Sequence, residues 1–115
     1  MTEPADILLF SYGTLQLASV QLSSFGRLLD GEDDAMTGYR TDKVEITDPE
    51  VLRKSGERVH LIVVPSEKAE DEVPGKVFRI TAKELAAADA YEVSDYKRVE
   101  VFLKSGRRAF VYVKA

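Results

Sequence analysis

The sequence predicts an α+β domain whose sheet curls into a partial or closed barrel, and three observations carry that prediction. A continuous apolar run opens the chain, two segments have helical periodicity, and about five or six segments alternate or are rich in β-branched residues. The chain has 115 residues, the size of one compact domain, so residues 1–115 are expected to form a single unit.

The run from Ile7 to Tyr12 is apolar without alternation, which suits a central strand buried on both faces. From Leu15, apolar residues recur mostly at spacings of three and four through Val20, Phe25 and Leu29, predicting an amphipathic helix weakened near Gly26. "DGEDD" from Asp30 to Asp34 reads as a turn, and "AMTGYRTDKVEIT" as a bent, polar outer strand with Gly38 at a bulge or close backbone approach. "DPE" and "SGE" read as connecting turns before the strand "RVHLIVVP". "SEKAEDE" is a solvated surface loop, followed by the strand "GKVFRI".

The second helix is "TAKELAAADAYE", where Thr81 and Glu84 have capping-box spacing. The end of the chain alternates as a hairpin: Val99, Val101 and Leu103 share one face, then a Ser-Gly turn precedes Ala109, Val111 and Val113.

Composition narrows the chemistry. Sixteen Lys and Arg against twenty Asp and Glu give a net charge of −4 with no basic block, so nucleic acid is not an expected partner. There is no Cys and one His, which removes thiolate chemistry and most transition-metal ligands; no metal or cofactor is expected. "MTEPAD" is acidic, and the run "ILLF" is too short for a signal core or a membrane span, so a cytoplasmic protein without membrane contact is expected.

Three places stand apart. At "YGTL" a strand runs into a helix start, where Gly13 admits a ligand to the backbone and the first helical amides lack intrahelical acceptors. Such a turn favours an anion, and the plainer reading is a structural turn with Thr14 as N-cap. In "DAYEVSDYKR", Glu92 follows Ala87, Ala88, Ala90 and Tyr91. If sheltered, its carboxyl titrates above the usual ~4.3 and can take and return a proton near neutral pH; if exposed, it pairs with Lys97 or Arg98. His60 has no Ser or Asp at a triad spacing and is read as structural.

Taken in order, "LLFSYGTLQ", "MTGYR", "VPGKVFRIT", "LAAADAYEVSDYKRVEV" and "FVYV" resemble the γ-glutamylcyclotransferase family in the broad sense that includes AIG2-like proteins. The resemblance spans nearly the whole chain. It implies a mixed β-barrel with two flanking helices and a cavity between the "YGTL" loop and the second helix. By motif, Tyr12, Gly13, Thr14 and Leu15 would bind the γ-glutamyl group of a small-molecule substrate, Glu92 would be the acid/base, and Tyr96 and Tyr112 would be cavity walls. The implied reaction is release of 5-oxoproline from a γ-glutamyl amine or amino acid. Two positions depart from the pattern: the common Leu-Asp is Ala88-Asp89 here, and the Gly that often follows the Glu is Val93.

A monomer or weak homodimer is expected. The alternatives are a non-catalytic small-molecule binding module on the same fold, and an interaction domain that uses the acidic loop from Glu67 to Glu72.

Overall fold

The computed structural model describes residues 4–115; the first three residues of the "MTEPAD" stretch lie outside them. The strands are β1 (Ile7–Ser11), β2 (Gly31–Thr37), β3 (Tyr39–Glu45), β4 (Val59–Pro65), β5 (Glu72–Ile80), β6 (Tyr96–Phe102) and β7 (Arg108–Lys114). The helices are α1 (Ala18–Phe25), α2 (Pro49–Ser55) and α3 (Ala82–Tyr91), with one 3₁₀ turn at Thr14–Gln16.

β1 lies in the middle of a five-stranded sheet ordered β2-β5-β1-β7-β6, antiparallel to β5 and parallel to β7. Its apolar run is continuous because each face meets a different core. Leu9 packs with Val20, Ile80, Ala88 and Tyr91 on the helix side, while Phe10 packs with Met36, Val63, Val77 and Val111 on the other. Each fully buried side chain of this size contributes ~1.5–3 kcal/mol, so β1 is a main anchor of the fold.

The α+β class is as predicted, but the barrel is not closed. β3 and β4 form a separate two-stranded sheet, reached where Gly38 turns the chain at φ 78°. A Cβ at Gly38 would meet nothing within 4 Å, so its left-handed backbone, and not a close approach, favours glycine there. The two sheets meet through a side chain. The Val63 amide donates to the Tyr12 hydroxyl at 3.2 Å, and that hydroxyl donates to the Tyr112 carbonyl at 2.6 Å. One phenol thus takes the backbone groups that direct pairing of β4 and β7 would use.

Two further expectations are corrected. "DGEDD" is not a turn: β2 begins at Gly31 and pairs along β5. Its acids are stable in a strand because it is a sheet edge, where Asp33 meets Lys76 at 3.0 Å and Glu32 meets Arg107. Among the described residues there are also three helices beside the sheets, not two. α2 has Asp48 as an N-cap accepting from the Glu50 amide, Pro49 in its first turn, Arg53 and Lys54 in its last, and Gly56 left-handed at its end.

The capping box of α3 forms as predicted, and Glu84 additionally holds Arg27 through both carboxylate oxygens at 2.7 and 2.9 Å. α1 is shorter than its apolar spacing predicts. The 3₁₀ turn consumes its start and left-handed Gly26 ends it, leaving Leu17, Leu22 and Leu28 exposed. Its buried residues are Val20, in the core, and Gln21, whose amide donates to the Leu15 carbonyl at 2.9 Å and accepts from the Leu29 amide at 3.0 Å.

Candidate active site

β1 ends at Ser11, and the chain passes through Tyr12 and Gly13 into the single 3₁₀ turn. That turn pairs the Gln16 amide with the Gly13 carbonyl and the Leu17 amide with the Thr14 carbonyl. The amides of Thr14 and Leu15 are left without an acceptor among the described residues. Gly13 has φ −130°, which any residue tolerates, and a Cβ there would meet nothing within 4 Å. Glycine therefore keeps space open beside the free amides.

Thr14 is not the N-cap of the plainer reading. The cap position is Gly13, without a side-chain bond, and Thr14 Oγ1 lies 2.8 Å from the Tyr91 hydroxyl. Leu15 buries its side chain in the core, so only its backbone is offered to a ligand.

Opposite the loop, α3 ends at Tyr91 and Glu92 follows as its C-cap, its amide donating to the Ala88 carbonyl at 3.0 Å. At Glu92 the backbone leaves the helix for the extended region, φ −72° and ψ 136°. The Glu92 carboxyl has no hydrogen-bond or ion-pair partner among the described residues. Arg98, one expected surface partner, pairs instead with Asp89 and lies over the Phe110 ring at 5.2 Å. Burial without compensation pushes the Glu92 carboxyl from its ordinary value near 4.5 up to about 8.

Tyr12, Gly13, Thr14 and Leu15 on one side and Glu92, Tyr96 and Tyr112 on the other line one cleft of about 310 Å³, part of it open to solvent. Every residue singled out from sequence thus meets in one place. The three tyrosines are braced by protein partners. Tyr12 spans the two sheets, Tyr96 donates to the Leu61 carbonyl at 2.7 Å, and Tyr112 donates to Asp89 Oδ1 at 2.7 Å. Burial raises the pKa of all three, so they stay neutral in the physiological range.

Sequence reasoning missed Tyr91, Gln21, Ser55 and the bracing role of Asp89. Only α2, which carries Ser55, had a legible signal, the Asp48-Pro49 start and Gly56 stop. His60 also borders the cleft. It is 5% exposed, with Nε2 3.2 Å from Ser55 Oγ, and burial lowers its pKa.

A small α+β domain thus places an unpaired carboxyl and free main-chain amides along one cleft, groups chemically able to exchange a proton and to bind an anion. The chain belongs to the γ-glutamyl cyclotransferase, AIG2-like family, whose model matches residues 9–115. No curated protein matches it in sequence.

Among solved structures, it is similar to an Arabidopsis thaliana protein determined in solution, with TM-score 0.72 and 23% identity over 99% of this chain and 66% of that one. A γ-glutamyl cyclotransferase structure superposes with TM-score 0.71 and 16% identity, covering 95% and 66% of the two chains. An allophanate hydrolase from Kluyveromyces lactis reaches TM-score 0.72 at 10% identity, with 96% of this chain on 17% of that one. These likenesses concern the fold, and the chain spans about two thirds of the length of the first two.

Proposed function

We propose that the cleft carries out an intramolecular acyl transfer on a γ-glutamyl amine or amino acid, releasing 5-oxoproline. The observation that carries this reading is the unpaired Glu92 carboxyl sharing one cleft with the free amides of Thr14 and Leu15. Membership in the γ-glutamyl cyclotransferase, AIG2-like family supports it.

The substrate's α-carboxylate sits on the loop amides, which folds the γ-carbonyl back toward the α-nitrogen and converts chain flexibility into proximity. Glu92 as carboxylate takes one proton from the α-ammonium. The freed amine attacks the γ-carbonyl carbon, forming the ring C–N bond. Glu92 returns the proton to the leaving nitrogen as its C–N bond to the γ-carbon breaks. The ring nitrogen then sheds its second excess proton through the same carboxyl, so both protons lost by the α-ammonium end on the released ammonium. One positioned acid/base of this kind contributes about 10²–10⁴ in rate. Glu92 also borders a second groove, between the start of α2 and Val93 to Asp95.

The test is 5-oxoproline formation from γ-glutamyl dipeptides and γ-glutamylamines. Wild type should form it, with an acid limb of kcat/KM near pH 8, because Glu92 must be ionised in the free protein to accept the first proton. Glu92→Gln should lose turnover while still binding substrate by NMR. An unchanged rate in Glu92→Gln would eliminate the mechanism, and binding without turnover in wild type would favour a non-catalytic binding module.

A further inference from the structure

The free amides of Thr14 and Leu15 lie between two tethers. On one side, Gln21 from α1 holds the Leu15 carbonyl at 2.9 Å. On the other, the Tyr91 hydroxyl holds Thr14 Oγ1 at 2.8 Å. Tyr12 is fixed by its hydroxyl to β4 and β7 and Leu15 by its buried side chain; between them, apart from the 3₁₀ bonds, Gly13 has only weak local contacts, its amide 3.4 Å from Ser11 Oγ and its carbonyl 3.3 Å from the Gln16 side chain. The tether on the α3 side therefore falls to one phenol, and that phenol belongs to the residue immediately before Glu92.

We propose that Tyr91 is a positioning residue, which sets the separation between the loop amides and the Glu92 carboxyl by holding Thr14. This rests on the acyl-transfer reading of the cleft. Tyr91 is 3% exposed and packs in the helix-side core with Leu9, Val20 and Ala88, so its ring cannot drift.

The test uses two probes, steady-state kinetics with a γ-glutamyl substrate and backbone ¹⁵N order parameters in the ligand-free protein. Tyr91→Phe removes one oxygen and keeps the ring. It should lower kcat/KM about tenfold, with a fall in kcat as well as a rise in KM, because misplaced amides weaken the grip on the α-carboxylate and shift the substrate relative to the Glu92 carboxyl. The order parameters of Thr14 and Leu15 should fall from about 0.85 toward 0.6. Thr14→Val should do the same, the double variant should be no worse than either single one, and Thr14→Ser should keep the rigid order parameters. Unchanged order parameters in Tyr91→Phe, or losses that multiply in the double variant, would overturn the positioning role. Absence of 5-oxoproline from wild type would instead overturn the acyl-transfer reading, and the order parameters would still judge the tether.

Discussion

The Tyr12 hydroxyl donates to the Tyr112 carbonyl across 100 residues of sequence, and the same oxygen accepts from Val63 in the other sheet. Tyr12 lines the cleft, yet its hydroxyl is already satisfied on both sides by backbone. Its oxygen serves the frame, leaving only the ring to face a ligand.

Tyr12→Phe should therefore act on stability. It leaves a buried carbonyl and a buried amide without their partner, which costs about 1–3 kcal/mol. Denaturant unfolding should show that loss, with KM for a γ-glutamyl substrate within about twofold of wild type. A normal midpoint combined with a raised KM would mean that the hydroxyl touches substrate.

Glu92 should make stability fall with rising pH. Its folded pKa of about 8 lies above its ordinary value near 4.5, so the folded state keeps the proton longer than the unfolded chain does. Its stabilising contribution is complete below pH 4.5 and is lost as pH rises through 8. Across that window the slope is up to about 1.4 kcal/mol per pH unit. Glu92→Gln should be more stable than wild type at pH 9, with the gap closing toward pH 4.5 in thermal melts. A gap independent of pH would contradict a sheltered carboxyl.

Two glycines should respond oppositely to alanine. Gly13→Ala meets open space, so any loss of stability should stay below about 1 kcal/mol while the methyl crowds the cleft and raises KM. At Gly75 a Cβ would lie 2.3 Å from the Ser11 carbonyl and 2.8 Å from Phe10 Cζ, a clash at the end of β1. Gly75→Ala should destabilise by about 1–3 kcal/mol in chemical denaturation. Equal stability losses at the two positions would contradict this division of roles.

The sequence by itself determined the elements whose signals are local. The unbroken apolar run of β1, the Thr81/Glu84 box of α3 and the alternation of the β6–β7 hairpin depend on neighbours in the chain, and they form where those patterns predict. α2 was equally legible in Asp48, Pro49 and Gly56, although the connecting-turn reading passed over it. The residues of the cleft were legible too, because Tyr12 to Leu15 and Glu92 carry motifs at a strand end and a helix end.

Tertiary structure decided the rest. An acidic segment is a strand only because β5 and the cations Lys76 and Arg107 lie beside it, and the sheet stays open where the Tyr12 phenol bridges β4 and β7. It also decided that Thr14 bonds Tyr91, 77 residues away, and that Glu92 has no cation beside it. A hydrogen-bond partner and a desolvation penalty are set by what folds against a side chain, and no local pattern records either.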